Sequence, residues 1–326
     1  MSGKVKLTFD KSKDATPLAT VSGGEYNKDV LYLQIGDAKA SGKKGVQELE
    51  IGKHRLGKLS PRKQSEVMRV LQEAYKKGIP PEHLNIDVDG AEEVYREMLG
   101  EVKQKGSTKI KLPPGSTFSL NVNPDPEKRF IYYIAGASGS GKSYIAKHIA
   151  EQYQKQFKGR PVYLVSKLKE DETLDGMTQR PMRLNIEKIM ATPLKDLESL
   201  RDSLVIFDDY DTLQGKEAKA VQTLIDDICI MGRHTVTSIL ILSHHLSNYK
   251  STRLCLTEAT HFVVYPQSTG AHALNYFLKT YVGMGPKEVQ AIKNTGSRWL
   301  AIHKNFPIYY ITETEAGLIN EKKDLV

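Results

Sequence analysis

In the last two-thirds of this 326-residue chain, apolar runs alternate with stretches of helical periodicity. The runs are Ile131–Ala135, Val162–Val165, Leu204–Phe207 and Ile239–Leu242. Four or more apolar residues in succession are typical of parallel strands covered on both faces. After the first run, Tyr144, Ile145, Ile149 and Tyr153 fall on one helical stripe, which predicts a helix from Lys142 to about Phe157.

The same reading predicts further elements up to the last strands. They are helices at about 215–231, 271–281 and 286–294, and strands at 261–265, 297–302 and 308–311. Strands that alternate with helices favour an α/β fold, a mainly parallel sheet flanked by helices.

A glycine-rich loop links the first apolar run to the first helix, and it fits the phosphate-binding P-loop, or Walker A motif. Glycines let backbone N–H groups curl around phosphates, and the following helix presents its positive N-terminus to them. Lys142 is expected to pair with the β- and γ-phosphates, and the Ser143 hydroxyl to help hold Mg²⁺. The predicted nucleotide-binding residues are Gly136, Ala137, Ser138, Gly139, Ser140, Gly141, Lys142 and Ser143.

Two carboxylates follow the strand at Leu204–Phe207, as expected of a Walker B motif. Ligands of open α/β sheets bind at the carboxyl ends of strands, and Mg²⁺ prefers hard oxygen ligands. We therefore assign Asp208 to Mg²⁺, directly or through water, and Asp209 to positioning the attacking water. Asp211 is interpreted as a solvated turn residue.

The strand at Ile239–Leu242 ends in Ser243, His244 and His245. Adjacent histidines on an extended chain point to opposite sides, so a metal site there is rejected. A sensor that contacts the γ-phosphate or the attacking water is favoured, from either Ser243 or His244, and a structural histidine remains the alternative.

The order of these motifs, with Gly232-Arg233-His234 just before the strand that ends in Ser243-His244, resembles the FtsK/HerA superfamily of ring-forming DNA-pumping ATPases. Within it, the sequence is most similar to the poxvirus-type genome-packaging ATPases of large eukaryotic DNA viruses. The likeness extends over about Phe118 to Tyr310. Asp209 and His244 stand where many members of the superfamily have Glu and Gln.

This resemblance implies an ATP-driven translocase for double-stranded DNA that packages a viral genome, with ATP and Mg²⁺ as cofactors. It implies a P-loop NTPase fold of the additional-strand class and a homo-oligomeric ring, a pentamer or hexamer. Arg233 matches the arginine that the superfamily places at a neighbouring subunit's γ-phosphate, and Arg253 is the second candidate. Asp209, Arg233 and His244 are thus the expected catalytic residues.

Two other functions stay open at the level of sequence. A nucleotide or small-molecule kinase also accepts this P-loop, although no lid-like arginine cluster is seen. A nucleotide-gated module that binds DNA or capsid without turnover is the third reading. Val21–Glu25 looks like the signature of ABC transporters, but it precedes the P-loop and is therefore interpreted as a turn.

The charge of the chain suits a nucleic-acid partner recognised without regard to sequence. Lys and Arg number 47 against 39 Asp and Glu, a net charge of +8, which favours phosphate contacts. Much of the positive charge lies early in the sequence. These basic residues either form a solvated loop or contact DNA or an acidic capsid surface. The early basic residues are Lys39, Lys43, Lys44, Lys53, His54, Arg55, Lys58, Arg62 and Lys63.

The first residues predict a smaller α+β accessory region. Lys4–Phe9 and Val30–Ile35 are typical of strands, Pro61–Lys77 of a helix with Ser60 as N-cap, and Ala91–Leu99 of a short helix. The basic connection Lys103–Pro114 places the boundary, giving residues 1–112 to this region and 113–326 to the ATPase domain. The strand predicted at 117–121 is a candidate to join the ATPase sheet.

The sequence also predicts where the protein acts. It has no apolar stretch of 18 residues and no apolar segment of a signal peptide near Met1, and its two cysteines indicate a reducing compartment. We expect a soluble, intracellular protein at virus assembly sites in the host cytoplasm, with association with the virion as an alternative. Viral capsid or inner-membrane proteins are the expected further partners.

Overall fold

The computed structural model describes residues 5–12, 15–24, 26–35, 60–77, 79, 83–84, 86, 88, 91–92, 94–95, 109–122, 125–191, 197–248 and 252–319. The chain forms two compact units. Residues 1–16 and 32–110 make the first unit, and residues 17–31 and 111–326 make the second. The predicted boundary between residues 112 and 113 remains a prediction.

The strands are numbered in chain order. They are β1 Val5–Thr8, β2 Thr16–Ser22, β3 Val30–Ile35, β4 Lys109–Lys111, β5 Thr117–Leu120, β6 Ile131–Ala135, β7 Val162–Ser166, β8 Met182–Arg183, β9 Leu204–Asp208, β10 Ser238–Ser243, β11 His261–Val264, β12 Leu300–His303, β13 Tyr309–Thr312 and β14 Glu315–Leu318.

The helices are numbered in the same way. They are α1 Pro61–Lys76, α2 Lys142–Gln156, α3 Ile186–Ala191, α4 Gly215–Met231, α5 Arg253–Glu258, α6 Ala271–Phe277 and α7 Pro286–Asn294, and α6 continues as a π-helical turn at Leu278–Val282.

The large sheet of the second unit has a parallel centre and an antiparallel flank. Its strand order is β14-β13-β12-β11-β6-β10-β9-β7-β8. Neighbours from β11 to β8 run parallel, and β11 to β14 form an antiparallel meander. Because β10 lies between β6 and β9, the additional strand expected between the P-loop strand and the acidic strand is confirmed.

Helices cover both faces of this sheet. On one face, Val221, Leu224, Ile225 and Ile228 of α4 are buried together with Tyr133, Phe207 and Ile241 from the central strands. On the other face, Ile149 and Tyr153 of α2 are fully buried, and α2 contacts β6, β9 and β10. Strands buried on both faces explain why their sequences are apolar throughout rather than alternating.

The register of the central strands aligns their carboxyl ends. Ser243 of β10 is level with Ala135, the residue before the P-loop. Ile241 is level with Phe207, so Asp208 reaches the same edge as Leu242 and Ser243. The predicted motifs therefore converge at one edge of the sheet, although they are spread along the chain from Gly136 to His244.

The smaller antiparallel strand pairs differ in part from the prediction. The strand predicted at 117–121 pairs antiparallel with β2 as β5 and does not join the large sheet. The strands β2, β4, β8 and β14 were not predicted. β8 has only two residues, and the other three mix polar or small residues with apolar ones, so none shows a clear apolar run. After β2, Gly23 and Gly24 adopt φ of +80° and +65°, so Val21–Glu25 contains a turn.

In the first unit, β1 pairs antiparallel with β3, and α1 begins after Ser60, whose side chain makes no capping hydrogen bond. Val67, Leu71 and Tyr95 belong to one buried cluster. Of the predicted basic cluster, only Arg62 and Lys63 lie in the described residues, both exposed on α1. The cluster members from Lys39 to Lys58, residues 96–99 of the predicted short helix and 103–108 of the connection lie outside them.

Candidate active site at the carboxyl edge of the sheet

The P-loop joins β6 to α2 in a conformation that needs glycine. Gly139 and Gly141 adopt φ of +74° and +110°, values that L side chains rarely adopt. A Cβ on Gly136 would lie 2.7 Å from the ring of Tyr265. The tip of the loop, 137–139, is exposed, and the 15-residue helix α2 begins directly behind it. Such a loop directs N–H groups and a helix N-terminus toward an anion.

Lys142 is the first residue of α2, and its side chain lies against the P-loop. Its Nζ donates to the carbonyl oxygens of Gly136 and Ala137 at 3.0 and 3.2 Å, and the residue is 6% exposed. Burial lowers the pKa of Lys142, while the charges of Asp209 and Asp208 oppose that change. The ammonium is therefore held over the loop and faces the acids that follow β9.

Asp208 ends β9 as a buried carboxyl, 3% exposed. Burial raises the pKa of Asp208 to about 7, Asp209 and Asp171 add to the rise, and Lys142 and His244 oppose it. A carboxylate that is costly to leave charged is a good partner for a cation.

The oxygen donors at this edge of the sheet suit a Mg²⁺ ion that binds together with a nucleotide. Such an ion takes most of its ligands from phosphates and water and only one or two from protein. Ser143, in the first turn of α2, and Asp208 are the two oxygen donors that would hold it. Within the described ranges, no group of three or more His, Cys, Asp or Glu side chains forms a metal site from protein alone.

Asp209 and His244 form a pair at the mouth of the site. Asp209 Oδ1 and His244 Nε2 lie 2.9 Å apart, and the two side chains are 29% and 30% exposed. Asp209 has φ of +51°, a strained conformation for a residue other than glycine. That turn points Asp209 toward the end of β10, away from the buried position of Asp208. A solvent-facing carboxylate fixed by a histidine can order a water molecule.

Asp211 is not the solvated turn residue that the sequence predicted. Its Oδ2 accepts hydrogen bonds from Ser243 Oγ at 2.9 Å and from the main-chain N–H of His244 at 2.7 Å. Because the Ser243 hydroxyl is fully buried and bound to Asp211, His244 is the residue of the two that reaches the mouth of the site. The part of Asp211 as a hydrogen-bond acceptor for the end of β10 becomes visible only from the strand register.

Arg233 lies elsewhere. It is exposed in the turn between α4 and β10, at the amino end of the strand whose carboxyl end carries His244. Six strand residues span roughly 20 Å, so Arg233 is remote from Lys142 of its own chain. Arg129 donates to the carbonyls of Ile228 and Cys229 in the last turn of α4, the latter at 2.6 Å, and so fixes this turn.

Arg253, the alternative arginine, is the exposed first residue of α5. It follows the loop that leaves the carboxyl end of β10. Of the two arginines, Arg233 precedes the amino end of β10 in the chain. Arg253 follows its carboxyl end, the end that lies beside the P-loop and the acids.

No family model matches the sequence. Uncharacterized protein V3 of Sputnik virophage is 34% identical over 224 residues, which cover 67% of this chain and 87% of V3. The fold and the site define an α/β domain of the P-loop type with an additional strand between the P-loop strand and the acidic strand. This chain belongs to the family of the Sputnik virophage protein V3.

The comparison with solved structures gives matches of low sequence identity and low TM-score. The genome packaging NTPase B204 of Sulfolobus turreted icosahedral virus 2, in complex with AMPPCP, is 15% identical with a TM-score of 0.39, covering 58% of this chain and 99% of B204. The pCW3 conjugation coupling protein TcpA is 12% identical with a TM-score of 0.38, covering 94% and 77%. The Type VII secretion ATPase EccC of Thermomonospora curvata is 11% identical with a TM-score of 0.42, covering 64% and 28%.

Proposed function

We propose that this chain hydrolyses ATP to move double-stranded DNA and that its task is to package a viral genome. The observation that carries the ATPase part is the convergence of Lys142, Asp208 and the Asp209–His244 pair at one edge of the sheet. The DNA part rests on the FtsK/HerA motif order, on the net charge of +8 and on a family relative from a virophage.

Each residue has a distinct part in the proposed reaction. The P-loop N–H groups and Lys142 hold the β- and γ-phosphates. Ser143 and Asp208 would hold Mg²⁺, which would supply charge neutralisation at the phosphate oxygens. Asp209 accepts a hydrogen bond from the attacking water and fixes its direction. His244 fixes Asp209. Catalysis of this kind is mostly positioning and electrostatic stabilisation.

The proposed assembly is a homo-oligomeric ring of five or six subunits in which Arg233 completes the site of the neighbouring subunit. Its exposure at the far end of β10 supports action on another chain, since its own P-loop is remote. We place the activity at virus assembly sites in the host cytoplasm, docked on capsid or inner-membrane proteins. Within the described part of the chain, no helix has the length and apolar character to cross a membrane.

The test is phosphate release measured with and without double-stranded DNA of mixed sequence, with Lys142→Ala as the inactive control. We expect DNA to stimulate turnover, and expect DNA affinity to fall steeply with added salt because the contacts are to phosphates. Turnover that needs a small acceptor would instead identify a kinase. ATP-dependent DNA or capsid binding without turnover would identify a binding module.

A further inference from the structure

The order of strands sets the direction in which a bound nucleotide lies. Asp208 and Asp209, which follow β9, and His244, which follows β10, lie to one side of the P-loop strand β6. The γ-phosphate belongs on that side, since the acids and the attacking water act on it. The α-phosphate and the nucleoside must therefore leave the loop toward the other side, where β11 and β12 lie.

A pocket of about 620 Å³ opens on that side of the P-loop. Its P-loop wall consists of Ser140, Gly141 and the largely exposed Tyr144. Its opposite wall consists of Tyr265, which follows β11, and Arg298 and Trp299, which precede β12. Three aromatic rings and a guanidinium around one opening are typical of sites that stack a planar base.

Two buried hydroxyl groups at this pocket have no hydrogen-bond partner among the described residues. They belong to Ser140 and to Tyr265, which is 3% exposed. The ring of Tyr265 is also close to the P-loop, because a Cβ on Gly141 would lie 3.6 Å from its hydroxyl oxygen. A buried polar group without a partner is costly in a folded protein, so both hydroxyls indicate a polar ligand.

Glu313 fixes the wall that carries Trp299. Its Oε2 accepts hydrogen bonds from the main-chain N–H of Arg298 at 2.8 Å and from Ser297 Oγ at 3.1 Å. Ser297 Oγ also lies 2.8 Å from the carbonyl oxygen of Trp299, so its single proton bonds to one of these two oxygens at a time. The Arg298–Trp299 segment is therefore held in place before any ligand binds, which lowers the entropic cost of binding.

We propose that this pocket, the nucleoside pocket, binds the base and ribose of the nucleotide whose phosphates occupy the P-loop. Trp299 stacks on the base, and Tyr144 and Tyr265 complete its apolar surroundings. The inference rests on ATP binding under the proposed function and adds the residues that recognise the nucleoside half. Sequence reasoning missed the pocket because its walls come from six separate parts of the chain.

The chain carries its own reporter, since Trp299 is its single tryptophan. The experiment titrates the protein in Mg²⁺ with ATP or with inorganic tripolyphosphate and follows Trp299 fluorescence, while calorimetry records binding. We expect ATP to change the fluorescence and tripolyphosphate to leave it unchanged while competing with ATP. Equal changes with both compounds, or no change at calorimetric saturation with ATP, would overturn the nucleoside pocket.

Variants test the same assignment by affinity. Loss of one aromatic stack weakens base binding by about 5- to 150-fold, so Trp299→Ala should weaken ATP by that factor and leave tripolyphosphate affinity unchanged. Trp299→Phe should retain most of the ATP affinity. Phe306→Ala is the matched control, because Phe306 is exposed in the β12–β13 loop at the opposite end of the sheet. Equal weakening of ATP and tripolyphosphate by Trp299→Ala would contradict the pocket.

The nucleoside pocket and the motor function can fail separately. A fluorescence change specific to ATP, without DNA-stimulated turnover, would support the pocket and contradict the translocase. DNA-stimulated turnover with Trp299 insensitive to bound ATP would do the reverse.

Discussion

Three aspartates within four residues occupy three environments, because the chain turns sharply after β9. Asp208 is buried beside the Lys142 ammonium, Asp209 is turned outward by its positive φ toward His244, and Asp211 is bound to the end of β10. The same side chain therefore serves as cation ligand, water-positioning group and structural acceptor in the proposed site.

The first prediction separates binding from turnover. Lys142→Ala should abolish detectable ATP binding, because it removes the cation that faces the phosphates. Asp209→Asn should keep ATP affinity and lower kcat by about 100- to 1000-fold, the cost of losing one element of transition-state stabilisation. Calorimetry and phosphate release measure the two quantities.

The control for this pair is Asp227→Asn, which removes a half-buried acid near the far end of α4 and should leave both quantities unchanged. A wild-type kcat in Asp209→Asn would remove that residue from the mechanism.

The second prediction concerns Asp211. Asp211→Asn offers an amide where Ser243 and the His244 N–H now share one carboxylate oxygen, and hydrogen bonds to charged groups contribute about 1.5–3 kcal/mol. We expect ATP affinity to stay and kcat to fall roughly 10- to 100-fold as His244 loses its position, with Asp211→Ala at least as impaired. If steady-state kinetics show an unchanged kcat in both variants, Asp211 has no positioning role.

At the scale of elements, the segment after β7 is anchored by Asp175, which forms ion pairs with Arg183 and Arg180. Arg183 Nη2 and Nε lie 2.6 and 3.2 Å from the two carboxylate oxygens of Asp175, and Arg183 Nη1 donates to the carbonyl of Leu168 at 2.6 Å. The side chain of Asp175 is 12% exposed. Hydrogen bonding to Arg183 lowers the pKa of Asp175 to about 2. This segment carries Asp171, whose charge acts on Asp208.

The third prediction follows from that pKa. A carboxyl whose pKa is lowered by folding stabilises the protein above its unfolded pKa of about 4, and this contribution is lost as the pH falls toward about 2. Asp175→Asn should lower the free energy of unfolding by about 1–2 kcal/mol at pH 7. The difference from the wild type should shrink below pH 4.

Urea unfolding at several pH values measures this difference. Asp125→Asn is the matched control, because Asp125 pairs with Lys128 at an exposed site, where ion pairs contribute little. A destabilisation by Asp175→Asn that does not change between pH 7 and pH 3 would show that the charge is not the cause.

At the scale of the whole molecule, the length of β10 separates Arg233 from Lys142 and Asp208 of its own chain. Arg233 sits at the other end of β10, on a turn fixed by Arg129 and the carboxyl end of α4. If Arg233 acts, it acts on a second copy of the chain, so hydrolysis depends on assembly.

The fourth prediction tests this with mixed oligomers. Arg233→Ala should bind ATP normally and hydrolyse it poorly, and Lys142→Ala should be inactive. When the two are mixed, an intact P-loop on one chain can meet an intact Arg233 from another, so phosphate release should return in part. Mixed assemblies that form but stay inactive would reject Arg233 and direct the same experiment to Arg253.

The buried strands and the turn into α2 follow from the sequence alone. A run of apolar residues encodes a buried strand, and the glycines, Lys142 and Ser143 encode the turn into α2, because these depend on neighbouring residues and on backbone sterics. Of the strand order, only the place of the additional strand between the P-loop strand and the acidic strand was predicted, and the structure has it.

Contacts between residues far apart in the chain follow from the tertiary structure. The bond from Asp211 to Ser243, the separation of Arg233 from Lys142 and the assembly of Tyr265, Trp299 and Glu313 beside Gly141 all depend on strand register and strand order. Register is set by packing between segments far apart in the chain. Composition and periodicity report each segment's own preference, and they do not specify the partner beside which it is buried.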